Sequence, residues 1–490
     1  MVFSSVIFLM VFLPIVLLTA SLIYLSLYSL KSNKFVILNL FLLLSSLLFY
    51  WWGEPKHIYI MLAVTFITYI SGILINKLKY KKIVLIISII FNLSILGYFK
   101  YYNFFMDLIG LDLVNFFLSE DEKIKTIVDV ALPLGISFYV FQSISYLIDV
   151  YRGEVKVTYN FINFASYITL FPQLVAGPIV RYSHIEQELT YREITVERFS
   201  MGASRFIMGL AKKILIADTL GRVADAAFAV PNGELSAFSA WLGIISYSLQ
   251  IYFDFSGYSD MAIGLGHMLG FKFPENFNYP YISKSVKEFW RRWHISLSTW
   301  FRDYVYIPLG GNRKGQFRSY INQIIVFFLC GLWHGASIMF VLWGLYHGFF
   351  LTIEKMFPKL IEKIPSVLKH CYVILMFMFG WVLFRANTFE QAVNYYKSLF
   401  GYYPEHIKES MVYLNAFAGD YIIALIAGII LSTPVFPYLR SKYQIIFDNA
   451  GIIKKFTMAC ISSLMILLLL LICIMPLFGS TFKSFIYFRF

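Results

Sequence analysis

The stretch that decides the fold runs from residue 287 to residue 348. It opens with FWRRWHISLSTWFRD (residues 289–303), continues through a short basic turn, PLGGNRK (residues 308–314), and leads into an apolar run that contains GLWHGA (residues 331–336). Two histidines, His294 and His334, therefore lie in hydrophobic or aromatic surroundings on either side of the turn. Because ionisable side chains are costly against lipid, this pattern indicates a functional centre held inside a membrane protein.

The composition of the whole chain supports a membrane protein. Of 490 residues, 59% are hydrophobic and only 14% are charged, whereas a soluble domain has about 25% charged residues. The apolar residues form runs long enough to cross a bilayer, which takes roughly 20 residues. We expect an all-α, polytopic fold of roughly 11 to 14 transmembrane or half-membrane helices. They would form one membrane-embedded domain over residues 1–490.

The distribution of charge predicts the orientation of the chain. A net charge of +13 would suggest nucleic acid as a partner for a soluble protein. Here the basic residues lie in short loops between apolar runs, so we expect no nucleic-acid binding. The cluster at residues 77–82 follows the third run, and the positive-inside rule places it in the cytoplasm and the N-terminus outside. The fourth run is expected to end at residue 99, with residues 101–126 lying along a membrane interface.

The cysteines and histidines give no metal-binding pattern. All four cysteines lie in or beside apolar segments without CxxC spacing, which predicts buried free thiols. They are Cys330, Cys371, Cys460 and Cys473. His334 and His347 are 13 residues apart, whereas a helical metal pair needs a spacing of three or four. We expect no metal in the site.

His334 is the strongest candidate for a catalytic group. Trp333 precedes it and Gly335 and Ala336 follow it, which predicts an aromatic wall and a tight backbone around one titratable ring. Imidazole accepts a proton near neutral pH and is neutral often enough to be buried, so it suits a general base. Four other histidines are expected on the solvated surface: His57, His184, His370 and His406. His267 and His347 are expected to be hydrogen-bonded packing residues.

The aromatic and basic segment around His294 has two interpretations. If residues 286–303 form one helix, His294, Ser298 and Phe301 share a face and could line a passage from the cytoplasm. The surrounding residues would then bind the phosphates of a cytoplasmic donor; they are Arg291, Arg292, Trp293, Arg302 and Arg313. An interfacial aromatic belt with cytoplasmic positive charges explains the same residues equally well, and both interpretations stay open.

Polar side chains inside other apolar runs predict a polar path or close helix packing. Gln142 and Gln173 lie in two such runs. Asp254 and Asp260 lie in YFDFSGYSDM (residues 252–261), where exposure to lipid would be costly. We expect the substrate path to be lined by Trp333, Asp254, Ser298, Gln142 and Gln173.

Five motifs, in this order, resemble the membrane-bound O-acyltransferase (MBOAT) family. They are LPLGISF (132–138), FPQLVAGPI (171–179), DFSGYSD (254–260), FWRRWH (289–294) and GLWHG (331–335). They cover residues 130–350, which correspond to the family core. Within the family, the chain resembles the bacterial membrane subunits of alginate and peptidoglycan O-acetylation, which are related to the proteins of teichoic-acid D-alanyl transfer.

The resemblance implies a fold, a reaction and partners. The fold would be a helical bundle around a central funnel and tunnel, with His334 as the near-invariant histidine and His294 as the second conserved one. Cytoplasmic acetyl-CoA would be the acyl-donor substrate, with no permanently bound cofactor. An SGNH-hydrolase-type acetyltransferase outside the bacterial inner membrane would be the partner, and a glycan such as peptidoglycan or exopolysaccharide the final acceptor.

The C-terminal residues FIYFRF (485–490) have two interpretations. Aromatic residues after a last span usually anchor the chain at the interface. The resemblance instead implies a C-terminal motif formed by Phe485, Tyr487 and Phe490, in which Tyr487 carries the acyl group as a covalent relay. Two other functions stay open for the whole chain: a transporter or flippase of an acylated sugar, and an MBOAT enzyme that acylates a lipid or protein directly.

Overall fold

The computed structural model describes residues 2–28, 34–109, 130–175, 177–404 and 410–479. These residues form helices, turns and loops, and no β-strand occurs among them. The all-α expectation is confirmed. The chain is a multi-pass membrane protein.

The first third of the described chain consists of long apolar helices followed by short ones. A π-helical turn (Phe8–Phe12) leads into the first, and the order is α1 (Leu13–Tyr28), α2 (Lys34–Gly53), α3 (Ile58–Lys77), α4 (Lys81–Ile109), α5 (Ile136–Arg152), α6 (Phe161–Thr169), α7 (Phe171–Leu174) and α8 (Tyr182–Thr190). The apolar run that contains Gln173 thus begins with two short helices, α6 and α7. Pro172 stands in the first turn of α7, where its missing N–H costs nothing.

The middle of the chain carries three of the five motifs, DFSGYSD (254–260), FWRRWH (289–294) and GLWHG (331–335). Its helices are α9 (Val196–Ala211), a π-helical turn (Lys212–Ala217), α10 (Asp218–Ala229), α11 (Ala237–Met268), α12 (Val286–Arg292), α13 (Ile295–Phe301), a second π-helical turn (Arg302–Tyr306), α14 (Gln316–His334) and α15 (Ile338–Met356). The remaining helices are α16 (Pro358–Lys363), α17 (Ser366–Arg385), α18 (Phe389–Leu399), α19 (Ser410–Ala416), α20 (Gly419–Leu431), α21 (Val435–Asp448) and α22 (Ile452–Gly479).

Six helices of the described residues are long and apolar enough to cross a membrane by length and composition. The six segments are Phe8–Ser26, Phe35–Gly53, Ile58–Lys77, Lys81–Ile109, Ser366–Arg385 and Ile452–Phe478. A seventh candidate is the pair α20 and α21, which is bent by 71°. The bundle interior is formed mainly by α5, α6, α7 and α11, whose side chains are largely buried.

Helices α9 and α11 pack backbone to backbone. A Cβ added to Gly209 would lie 2.5 Å from the carbonyl oxygen of Gly257, and one added to Gly264 would lie 2.6 Å from that of Gly202. Small residues at such crossings let helices in a membrane approach closely, which increases van der Waals contact. This crossing holds α11 in the centre of the bundle.

Side-chain contacts place the basic turn at one end of the bundle. The Lys77 ammonium lies 5.8 Å from the ring of Tyr159, and Arg152, just before Tyr159 in the chain, donates to the carbonyl oxygen of Asp303 (3.1 Å). The turn of residues 308–314 is therefore at the Lys77 end. The opposite end is marked by His57, which precedes α3 and whose ring lies 6.2 Å from that of Phe99.

Two expectations are wrong. Helix α4 does not end at residue 99 but continues to Ile109, so Tyr101 belongs to a helix and not to an interfacial segment; residues 110–129 lie outside the described residues. Cys330 and Cys473 are buried free thiols as expected, whereas Cys371 and Cys460 are exposed on the bundle surface. Lipid accommodates an apolar thiol as readily as a protein core does, so apolar flanks do not decide burial in a membrane protein.

Candidate functional site

Helices α14 and α15 form a tight hairpin whose corner carries His334. A Cβ added to Gly331 would lie 2.3 Å from the carbonyl oxygen of Phe340, and one added to Gly344 would lie 2.2 Å from that of Phe327. Only glycine permits this approach at the two positions. The hairpin therefore fixes the end of α14, with His334 as its last residue.

Aromatic rings surround His334. Its imidazole centroid lies 4.9 Å from Trp333, 4.9 Å from Trp343 and 5.2 Å from Phe384, all at steep angles. The residue is only 6% exposed. The ring thus lies inside the protein, in the edge-to-face geometry that aromatic pairs prefer.

His294 lies at a break between two helices. Helix α12 ends at Arg292 and α13 begins at Ile295, and His294 itself has a φ of 42° in the left-handed region. This conformation is uncommon for residues other than glycine and is found at constrained sites. The expectation of one helix over 286–303, with His294, Ser298 and Phe301 on one face, is wrong because the backbone changes direction at residue 294.

The break points the His294 ring inward. Its centroid lies 5.8 Å from Trp333 and 4.6 Å from Phe255. Since Trp333 also contacts His334, the indole ring lies against both imidazoles. The structure thus brings His294, Trp333 and His334 together, although His294 precedes His334 by 40 positions in the sequence.

Asn276 holds His294 in place. Its Oδ1 accepts hydrogen bonds from the Ser296 backbone N–H (3.2 Å) and the Ser296 hydroxyl (2.9 Å), and it lies 3.1 Å from His294 Nδ1. Because an amide oxygen only accepts, Nδ1 carries the proton and Nε2 retains its lone pair. Nothing in the loop sequence singled out Asn276, and the tertiary contact alone reveals it.

Two of the predicted donor-binding cations, Arg292 and Arg302, form ion pairs within the protein. Arg292 pairs with Glu288 (2.9 Å) and Arg302 with Asp303 (2.6 Å), and Arg181 also pairs with Asp303 (2.9 Å). Partial burial raises the pKa of the Asp303 carboxyl, but hydrogen bonds from Arg302 and Arg181 outweigh it and lower the pKa below its usual value. Asp303 is therefore charged at neutral pH and engages both guanidinium groups.

The remaining residues predicted to bind the donor are Arg291, Arg313 and Trp293, and they differ in exposure. Arg291 and Arg313 are exposed, and among the described residues neither has an ion pair. Trp293 is buried, with its ring 5.0 Å from Trp381 and stacked 5.5 Å from Phe289. Arg291 and Arg313 are thus the members of the group best placed to meet a soluble anion.

A large cavity approaches the site from the side. It has a volume of about 2150 Å³ and lies between helices α9 to α11 and helices α20 to α22. Its wall includes Asn276 and Ile295, the neighbours of His294, and the paired charges of Arg205 and Asp260 (2.8 Å). Among the described residues, its lining does not include His294 or His334 themselves.

The residues predicted to line a substrate path make packing contacts. Asp254 is buried beside Lys213, with its Oδ1 2.7 Å from Nζ. Gln142 donates to the carbonyl oxygen of Val180 (3.3 Å), and Gln173 donates to that of Tyr167. The half-buried Ser298 donates to the carbonyl oxygen of Trp293 (3.4 Å). Neither carboxylate of the motif faces lipid, since Asp260 pairs with Arg205 and Lys212.

His347 lies in an aromatic box close to the site. Its ring stacks on Phe377 (4.9 Å) and meets Trp290 (5.1 Å) and Trp343 (4.8 Å). Neither ring nitrogen has a hydrogen-bond partner among the described residues. Packing is therefore confirmed for His347 but the expected hydrogen bond is not found.

Two side chains that the sequence analysis overlooked contact the end of α14. Lys100 donates to the carbonyl oxygen of Trp333, and the Tyr101 hydroxyl donates to that of Leu332 (2.7 Å). Lys100 stands at the end of the fourth apolar run, and an ionisable residue at such a position is a sequence signal for a functional or structural contact. The C-terminal motif with Tyr487, and His406, lie outside the described residues.

The fold and site define a class: a polytopic helical membrane protein with two inward-facing histidines around one tryptophan. The chain belongs to the MBOAT, membrane-bound O-acyltransferase, family, whose model matches residues 17–389. This makes the chain a member of an acyltransferase family and explains why its polar groups lie inside the bundle.

Three relatives are particularly informative. A protein of Pseudomonas putida (strain KT2440) described as probable alginate O-acetylase AlgI is 40% identical over 514 residues, which cover 100% of both chains. The peptidoglycan O-acetyltransferase of Helicobacter pylori (strain 26695) is 33% identical over 92% of this chain and 91% of the relative. The teichoic acid D-alanyltransferase of Bacillus subtilis (strain 168) is 29% identical over 52% of this chain and 69% of the relative.

Proposed function

We propose that this chain moves an acetyl group from cytoplasmic acetyl-CoA across the bacterial inner membrane for O-acetylation of an extracytoplasmic glycan. The observation that carries the proposal is the enclosed group of His334, Trp333 and His294. Full-length similarity to a protein named for alginate O-acetylation and to one named for peptidoglycan O-acetylation supports the choice of acyl group and acceptor class.

The position of the site along the bundle supports a transfer between two sides. Helix α4 begins with Lys81 at the basic end. Nineteen residues further along the same helix, Lys100 contacts the corner beside His334. Nineteen residues of helix span nearly 30 Å, about the thickness of the hydrocarbon core. His334 therefore lies towards the end opposite the basic turn, where an acceptor from outside the cytoplasm would arrive.

The basic end supports entry of an anionic donor. Arg291 and Arg313 are exposed there, and phosphate groups of acetyl-CoA would be attracted to them. The lateral cavity that reaches Asn276 and Ile295 offers space next to His294. In this proposal the thioester reaches the aromatic centre past His294, and His294 Nε2 orients it or assists proton transfer.

The chemical step that we propose is acyl transfer to a hydroxyl. The Tyr487 hydroxyl, with an ordinary pKa of about 10, needs a base at neutral pH, and His334 takes its proton. The tyrosine oxygen attacks the thioester carbonyl, a C–O bond forms, and the C–S bond breaks. The proton then passes from His334 to the leaving CoA sulfur. A positioned general base contributes about 10²- to 10⁴-fold in rate.

A second transfer completes the proposed function. The acetyl-tyrosine ester passes its group to a partner acetyltransferase of SGNH-hydrolase type, which esterifies a hydroxyl of peptidoglycan or an exopolysaccharide. The membrane protein thus solves a problem of location, because the activated donor is made inside and the polymer lies outside.

Radiolabelled acetyl-CoA and the purified protein test the first transfer. We expect label on the wild-type protein, none on Tyr487→Phe, and at least about 100-fold slower labelling of His334→Ala. Tyr402→Phe, at an exposed position, is the matched control and should label normally. Wild-type rates in His334→Ala would contradict the proposed base.

The same experiment separates the alternatives. Release of CoA with label on a lipid or another protein, and none on Tyr487, would identify an enzyme that acylates those acceptors directly. No CoA release, together with export of an acylated sugar from proteoliposomes, would identify a transporter. Loss of O-acetyl esters from the envelope glycans of a deletion strain would identify the polymer.

A further inference from the structure

Lys100 places a buried amino group at the corner that carries His334. The residue is 8% exposed, and its Nζ donates to the carbonyl oxygen of Trp333 and to the Ser137 hydroxyl (3.3 Å). The next residue, Tyr101, donates to the carbonyl oxygen of Leu332. Two consecutive residues of α4 thus bind two consecutive carbonyls of α14, and no part of the site already described explains them.

These contacts complete the end of α14. The last four carbonyl groups of a helix have no partner within it, and the helix dipole makes this end favourable for a cation. The chain turns sharply at Gly335 into α15, and the Gly335 N–H donates to the carbonyl oxygen of Gly331 (3.4 Å), so the carbonyls of Leu332 and Trp333 are left for donors from elsewhere in the protein. Lys100 and Tyr101 supply donors from a helix more than 200 residues earlier in the chain.

An ionisable amino group at position 100 is more than capping requires. Among the described residues no carboxylate forms an ion pair with it, and an ammonium in a bilayer protein is costly without one. The neutral hydroxyl of Tyr101 caps the adjacent carbonyl without that cost. An ionisable group retained here is therefore better explained by the chemistry beside it than by stability of the fold.

We propose that Lys100 is a positioning residue for acyl transfer, which with Tyr101 clamps the last turn of α14 so that Trp333 and His334 keep a fixed orientation towards the acyl group. The inference rests on the proposed function. Lys100 acts through the α14 backbone, so it affects the rate of transfer and not the binding of the donor.

Steady-state kinetics of the full-length protein with acetyl-CoA test the proposal. We expect Lys100→Met to lower kcat by at least about tenfold, the effect of a lost hydrogen bond that leaves a buried carbonyl unpaired, with KM for acetyl-CoA within about twofold. Lys100→Arg should recover part of kcat because it restores a hydrogen-bond donor. Tyr101→Phe should lower kcat less. Lys82→Met and Tyr98→Phe, at exposed positions of the same helix, should match the wild type.

Thermal unfolding in detergent separates positioning from simple stabilisation. Removing a buried amino group without a counter-ion relieves its desolvation but leaves the Trp333 carbonyl unpaired, and because the two effects oppose each other the midpoint of Lys100→Met should stay close to that of the wild type. The proposal would be overturned if Lys100→Met had the kcat of the wild type. It would also be overturned if Lys100→Met had a lower midpoint and a loss of kcat that Lys100→Arg did not rescue.

Hydrogen exchange gives a readout that does not need activity. Amides of residues 331–336 should exchange faster in Lys100→Met and in Tyr101→Phe than in the wild type, and unchanged exchange would overturn the clamp. If wild-type protein releases no CoA from acetyl-CoA, the proposed function fails, and the exchange result still decides whether the clamp exists.

Discussion

Single residues set the chemistry of this site through their backbone as much as through their side chains. His294 faces Trp333 because its φ is 42°, and a helical φ would keep it on the outer turn of a continuous helix. His334 faces the same indole because α14 ends there. Imidazole chemistry was evident from residue type, whereas the direction of each ring depends on conformations that require tertiary support.

Asn276 gives the first prediction at this scale. Asn276→Ala removes the acceptor for His294 Nδ1–H and for both donors of Ser296. Leaving buried donors unpaired costs about 1–3 kcal/mol, and the imidazole loses its fixed tautomer. We expect a lower unfolding midpoint and a kcat at least about tenfold lower, measured with acetyl-CoA.

The neighbouring exposed residue Asn278 provides the control. Asn278→Ala leaves its backbone pairing with Arg292 intact and should change neither the midpoint nor kcat. Equal effects of the two substitutions would show that the loop, and not the His294 contact, is responsible.

Pairs of elements decide where the site lies. The α9–α11 and α14–α15 crossings depend on glycines that admit backbone contact, and the second crossing directly supports His334. A long apolar run is a local signal that the sequence shows directly. Which glycines face each other could not be predicted, since each helix has several and only the packed structure selects among them.

Gly264→Ala gives the prediction at the scale of elements. Its Cβ would lie 2.6 Å from Gly202 O and 2.8 Å from Phe206 N, so α9 and α11 must separate. We expect a loss of about 1–3 kcal/mol in the free energy of unfolding, as for other overpacked interiors, measured by thermal unfolding in detergent.

Gly97→Ala on α4 is the matched control. Nothing lies within 4 Å of a Cβ at this position, and alanine is favoured over glycine in a helix by about 1 kcal/mol. The variant should be as stable as the wild type or more so. A loss equal to that of Gly264→Ala would contradict the close crossing.

The whole molecule separates two ends, and this separation gives the last prediction. The contacts of Tyr159 and Arg152 place the 308–314 turn at the Lys77 end, and positive-inside bias predicts that this end faces the cytoplasm. In a variant with serine at exposed Cys371 and Cys460, an impermeant maleimide should label Lys56→Cys in intact spheroplasts. Lys79→Cys and Arg313→Cys should react only after permeabilisation.

The outcome for Arg313→Cys tests the tertiary arrangement and not only the charge rule. Labelling of Arg313→Cys and Lys56→Cys from the same side would contradict the placement of the basic turn at the Lys77 end. Reversal of all three positions would instead invert the orientation and leave the fold unchanged.

The sequence by itself determined the membrane class and singled out His334 as the catalytic candidate, because hydrophobic run length and an ionisable group among aromatics are local properties. Only the tertiary structure decided that His294 lies at a helix break, that Asn276 orients it, and that Lys100 contacts a carbonyl 233 positions away. It also assigned Asp254 to an ion pair with Lys213. These are long-range contacts, which arise when helices pack and leave no periodic signal in the chain.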